Sequence, residues 1–169
     1  SWYKANWWMC GFGTMGVTSL NGEWLGLTDL RTGLPIQWDS TILRYTGAAV
    51  GDGKALYLGI GNSITAFDYK NAVLEETQDR KKRRFQKMTL PKLWKSDGFK
   101  VQVRKSGIHI KAGSTFYTFW GGKVLALVAD PAAKTGKTTW SAEIKGTPAG
   151  MLAGDDRLFV ITREGAIHC

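Results

Sequence analysis

Two stretches of this chain spell out phosphate-binding loops letter by letter. Gly11-Phe12-Gly13-Thr14-Met15-Gly16 is a literal GxGxxG behind the strand-like Trp7-Trp8-Met9. A dinucleotide site needs its third glycine to open a helix whose N-terminus holds the pyrophosphate. Here Val17-Thr18-Ser19-Leu20 runs at once into the turn pair Asn21-Gly22, which leaves no room for that helix. Gly136-Lys137-Thr138, behind the apolar run Val124 to Ala129, copies the end of an NTPase loop. Yet Pro131 stands where the first glycine belongs, and Trp140 to Gly146 alternates like a strand where a helix is required.

The remaining candidate chemistry is sparse. His109 alternates with Ile108 and Ile110, on the face opposite those apolar side chains, and has no positioned partner, so it is expected to be a surface or inter-sheet residue and not a base. His168 beside Cys169 supplies two metal ligands at most, too few for a site. Asp52-Gly53 and Asp155-Asp156 read as turns, because Asp and Gly supply the backbone angles that hairpins require. There is no Ser-His-Asp order, HExxH or calcium loop. Cys10 and Cys169, the two cysteines, form no CxxC pair, which excludes a disulfide-dense scaffold and a cysteine-built zinc site but leaves one long-loop bridge open. No catalytic, cofactor-binding or metal-binding residue is expected.

Charge is concentrated in one place. The chain of 169 residues carries 23 Lys plus Arg against 14 Asp plus Glu, a net +9, and 43% of it is hydrophobic, a globular composition. Lys70 to Lys105 holds 12 of the bases and 4 of the acids, so +8 of the +9 lies there. Asn71 can cap a helix beginning at Ala72, and Glu76 with Arg80 is a favourable i,i+4 pair, so a short helical insertion is expected within about 70–92. Arg80, Lys81, Lys82, Arg83 and Arg84 repel one another and must stand in solvent. With Lys87 they are the candidate partner-binding residues. Such a run can also neutralise nucleic-acid phosphates or anionic lipid headgroups, although the single neighbouring aromatic, Phe85, is too little for a base-stacking platform.

The elements that would position these residues read as short antiparallel strands. Glycine is frequent at 21 residues and proline scarce at 4. Ala55 to Ile60 and Ile64 to Phe67 flank a turn at Gly61-Asn62-Ser63, and Arg157 to Thr162 with Ala166 to Cys169 repeats the plan. No apolar run approaches the roughly 18 to 20 residues of a membrane helix, and Ser1 to Cys10 lacks a signal-peptide core. A further unit recurs: Asp29-Leu30-Arg31-Thr32-Gly33 leads to Trp38, Thr135-Gly136-Lys137 leads to Trp140, and Trp94 holds the equivalent place after a longer connection. Repeated four-stranded units that bury their faces only against neighbours are the blades of a propeller. Trp38, Trp94 and Trp140 are the expected blade-docking side chains, each bringing a large apolar area and one N–H.

These residues resemble the tryptophan-docking repeat of the quinoprotein, or PQQ-type, β-propellers. The similarity is closest over Thr135 to Cys169, fair over Gly51 to Asp68 and Gly22 to Trp38, and absent from Ala72 to Lys87. It implies an all-β propeller domain over 1–169 holding three to four blades, in a family whose rings close with about seven or eight. The rest of the ring, or a second copy, is then expected to complete it. The resemblance also implies an address outside the cytoplasm, commonly the periplasm. The enzymes of that family use adjacent cysteines, a Trp floor and Glu, Asn and Asp ligands to calcium. This chain has no adjacent cysteines, so no cofactor is expected. The resulting expectation is a non-catalytic propeller segment serving as a protein-binding or scaffolding module. The alternatives are a portion of a PQQ-dependent dehydrogenase, a propeller appended to a separate catalytic domain, or a binder of anionic polymer or membrane surface.

Overall fold

A computed structural model describes residues 8–12, 15–20, 24–38, 46–101 and 110–169, without the side chains of 8–20, 24–26 and 46–48. His109 lies outside the described residues. Among the described residues every regular element is a strand, in four sheets, and no helix is long and apolar enough to cross a membrane. The first sheet begins with β1 (Trp8–Phe12), β2 (Met15–Leu20), β3 (Trp24–Asp29) and β4 (Pro35–Gln37) as an antiparallel meander. The second is built from β5 (Thr46–Gly51), β6 (Leu56–Ile60), β7 (Ser63–Phe67) and, after an excursion, β10 (Lys92–Ser96). The third is β11 (Ile110–Ala112), β12 (Thr115–Trp120), β13 (Lys123–Asp130) and β14 (Thr135–Glu143), and the fourth is β15 (Pro148–Gly154), β16 (Arg157–Thr162) and β17 (Ile167–His168).

The described residues of both phosphate-loop look-alikes are strand. Of the GxGxxG segment, Gly11 and Phe12 end β1 and Met15 and Gly16 open β2, with Gly11 opposite Gly16, and Gly136-Lys137-Thr138 lies inside β14. Gly136 is required for a different reason: a Cβ there would stand 2.0 Å from the Phe99 ring, which follows β10 and is buried against it.

The expected helical insertion is a β-hairpin instead, β8 (Val73–Gln78) and β9 (Arg84–Thr89), joined by the basic run itself. A helix would have stacked the five charges at i,i+3 and i,i+4 spacing on neighbouring turns. The hairpin separates them. Arg83 and Arg84 each find a carboxylate, Asp79 and Glu76 respectively, whereas the expected Glu76–Arg80 pair does not form. Val73, Thr77 and Phe85 also favour strand. Asn71 caps no helix; its N–H and its side-chain amide donate to Asp68 in the turn that leaves β7.

The core shows why β6 and β7 read as continuous apolar runs. Their alternate side chains face two different neighbours. Leu56, Leu58 and Phe67 pack with Leu27, Ile36, Trp38 and Met88 of the first sheet and its hairpin. Tyr57, Ile64 and Ala66 pack with Phe116, Leu125 and Leu127 of the third. Each fully buried side chain of this kind contributes on the order of 1.5–3 kcal/mol.

Candidate functional site

An aspartate closes the third strand of each of the first three sheets and caps the turn to the outer strand. Asp29 accepts from the Arg31 N–H at 3.0 Å, Asp68 from Lys70 and Asn71 at 3.1 and 3.2 Å, and Asp130 from Ala133 at 2.9 Å. Asp29 N–H then donates to Leu34 O five residues on, whereas Asp68 N–H donates to Pro91 O twenty-three residues on. The hairpin is therefore eighteen extra residues inserted at a fixed point of the repeat, between the third and fourth strands of the second sheet.

This hairpin does not lie on the sheet it leaves. β9 pairs in parallel with β4, Ile36 opposite Gln86 and Gln37 opposite Lys87, so the hairpin extends the first sheet to six strands. Its base is anchored by buried Met88 and Gln86 and by half-buried Leu74. Its tip is organised by Asp79, which accepts from the Lys81 and Arg83 N–H groups at 2.8 and 3.0 Å and from Arg83 Nε at 2.7 Å. Lys82 holds the left-handed position at φ 60° that a three-residue hairpin loop requires. The hydrogen bonds from Arg83 keep the Asp79 carboxyl below its usual range, and the Arg84 bond does the same for Glu76.

The sequence candidates thus divide into two groups. Arg83 and Arg84 are committed to carboxylates within the hairpin. Arg80, Lys81, Lys82 and Lys87 are exposed and, among the described residues, enter no ion pair. Beside them β8 is an edge strand. The outer strands β10 and β14 carry a register shift and lysines, devices that discourage further pairing, whereas the edge strand β1, like β8, has neither. β8 runs in unbroken register, with neither lysine nor proline, and presents Val73, Glu75 and Thr77 beside the basic tip.

The three tryptophans occupy different environments. Trp38, buried just after β4, meets Phe67 edge-on at 4.8 Å. Trp94 is half-buried and meets Tyr57 at 5.9 Å. Trp140 is 48% exposed. Register links the last two: Val50, Tyr57, Ala66 and Trp94 form one row across the second sheet, and Ile110, Tyr117, Ala126 and Trp140 form the matching row across the third.

A charged cluster missed by sequence reasoning joins these sheets. Asp52 Oδ2 accepts from Tyr57 OH at 2.7 Å and from Lys111 Nζ at 2.8 Å, while Oδ1 accepts from the Lys54 and Ala55 N–H groups. Burial pushes the Asp52 carboxyl up, but the bonds from Lys111, Tyr57, Ala55 and Lys54 outweigh it and hold the group far below the usual carboxylate range. Burial, and then the bond to Asp52, raises the Tyr57 phenol well above its ordinary value. Lys111 Nζ also sits 5.0 Å from the Tyr57 ring centroid. No local signal ties Asp52 to a lysine fifty-nine positions away.

His168 Nε2 lies 3.0 Å from the Lys145 carbonyl oxygen, Cys169 is an exposed free thiol, and the Cys10 side chain lies outside the described residues. Among the described residues no three His, Cys, Asp or Glu side chains gather as metal ligands.

No family model matches the sequence, and no curated protein does. Among solved structures, BamB from Moraxella catarrhalis is similar, with TM-score 0.50 and 15% identity over 94% of this chain and 42% of that one. The chain spans less than half the length of that structure. The successive antiparallel sheets packed face to face and this likeness together make the fold a partial β-propeller.

Proposed function

We propose that the chain is a non-catalytic segment of a propeller of the quinoprotein type that serves as a docking module for a protein partner, and that the inserted hairpin is where the partner binds. The carrying observation is the hairpin itself: eighteen residues added to the repeat present an unblocked strand edge beside Arg80, Lys81 and Lys82. A partner's extended segment can add to such an edge through main-chain hydrogen bonds. Glu75 and Glu76 at the centre of β8 disfavour pairing with a second copy of β8, because antiparallel self-pairing would set like charges opposite one another. They favour a strand with basic residues at its centre and acids towards the tip. The three aspartate-capped turns, and the tryptophans on or just after the outer strands, support the quinoprotein type. Leu152, Ile161 and Ile167, all exposed on the fourth sheet, give a further blade an apolar face to pack on.

Photo-crosslinkers at Thr77 and at Lys81 test this reading in cells. The expected result is one polypeptide captured from both positions, and lost from Thr77 when Arg80, Lys81 and Lys82 are replaced by serine in a variant of unchanged strand circular dichroism. Capture of lipid or nucleic acid alone from Lys81 would move the assignment to an anionic-surface binder. Titration with PQQ and calcium, read by absorbance and dye reduction, is expected to show no saturable uptake; saturable uptake would return the chain to the quinone-dependent dehydrogenases.

A further inference from the structure

The two matching rows face different coverings. Over Tyr57 lie the Phe116 ring, at 5.2 Å, and the Lys111 ammonium with its Asp52 counter-ion. The corresponding positions at the next junction follow from register. Val50 and Ile110, Tyr57 and Tyr117, and Ala66 and Ala126 are each sixty residues apart, which aligns Asp52 with Ala112. The turn after Ala112, closed by Ala112 opposite Thr115, matches the turn closed by Gly154 opposite Arg157. That match aligns Lys111 with Ala153 and Phe116 with Leu158. Where the second sheet meets the third through a phenyl ring, an ammonium and a carboxylate, the third meets the fourth with Leu158, Ala153 and Ala112.

The shortened side chains leave an open cleft of about 650 Å³ whose lining includes all of them, together with Tyr117, Ala126 and Trp140. Asp156 and Arg157 also line it. Both are exposed, and among the described residues neither is in an ion pair. Trp140 makes no ring contact among the described residues. The volume falls in the range of small-molecule sites, about 300–1,000 Å³. An indole and a phenol on one sheet face, on either side of Ala126, leave a floor for a flat ring between them, and a carboxylate and a guanidinium at the wall take up an ammonium and a carboxylate.

We infer that the cleft between the third and fourth sheets binds an aromatic α-amino acid as its zwitterion, with the ring against Tyr117 and Trp140, the ammonium towards Asp156 and the carboxylate towards Arg157. The ligand restores the three kinds of group that the preceding junction supplies from its own chain. This site is separate from the hairpin and does not depend on the docking reading.

The test is a titration of the full chain with L-phenylalanine, followed by the Trp140 indole N–H resonance, with the resonance assigned through Trp140→Phe. A saturable shift is expected. Phenethylamine and 3-phenylpropionate, each lacking one charge, are expected to bind about tenfold more weakly, and L-alanine not at all. Ala112→Asp with Ala153→Lys and Leu158→Phe rebuilds the preceding junction and is expected to abolish binding while raising the melting temperature. Arg157→Gln, an exposed substitution that leaves the sheets intact, is expected to erase the advantage of L-phenylalanine over phenethylamine. The inference is overturned by no saturable shift with L-phenylalanine, by an equal shift with L-alanine, or by an advantage that survives Arg157→Gln.

Discussion

Asp52 and Gly136 each hold two sheets together. Asp52 has a folded-state carboxyl held below its unfolded value of about 3.9. Its contribution to stability is therefore present above that value and lost as pH falls through the folded one. Tyr57 has a raised folded-state value, so its contribution is present below the unfolded value of about 10 and lost as pH rises beyond it. Asp52→Asn is expected to lower stability by about 1–3 kcal/mol near neutral pH, since Lys111 is then left largely buried without its counter-ion, and to flatten the acid limb below about pH 4. Urea titrations at several pH values check both. Gly136→Ala drives a methyl into Phe99; overpacking of this kind costs about 1–3 kcal/mol, and Phe99→Leu in the same chain should recover part of it. Sequence reasoning located Asp52 correctly in a turn but placed Gly136 in a Thr-Gly turn, whereas it lies inside β14, and it found neither partner. Lys111 lies on another sheet and Phe99 in the segment that follows β10, and turn chemistry carries no information about what crosses to the next sheet.

At the scale of elements, the hairpin β8–β9 shows what local pattern can and cannot deliver. Asn71 and the Glu76–Arg80 spacing pointed to a helix, although Val73, Thr77 and Phe85 are strand-favouring residues. What decided between them is non-local: β4 offers a backbone edge to β9, and Asp79 organises a loop that disperses the charges. Asp79→Ala removes those capping bonds. Amide exchange along β8 and β9 is expected to accelerate while that of β6 and β7 stays unchanged, because the hairpin reports only its own opening. Equal acceleration everywhere would mean that the tip supports the whole fold. The row of Tyr, Ala and Trp was written in the sequence at an offset of sixty, together with Gly53 and Gly113, and Gly61 and Gly121, all four in the left-handed region. The inserted hairpin breaks that offset before Trp94, which is why the Thr-Gly-to-Trp unit stood out and the longer repeat did not.

Across the whole molecule, stability is distributed unevenly. Two apolar clusters bind the first three sheets into a continuous stack, and the fourth joins across the open cleft. Hydrogen exchange is expected to rank the amides of β15 to β17 well below those of β6 and β7 in opening free energy, and saturating L-phenylalanine to narrow the gap by bridging the third and fourth sheets. The general architecture was readable because strand periodicity and glycine turns are local properties. The order of packing was not, because it depends on which face of each strand meets which neighbour.

The parallel clasp between β4 and β9 joins Ile36 to Gln86, fifty positions further along the chain. As the polypeptide leaves the ribosome, the first blade must wait with one margin bare until most of the second has been synthesised. Whatever shields that margin in the interval decides whether the nascent chain matures or sticks to its neighbours.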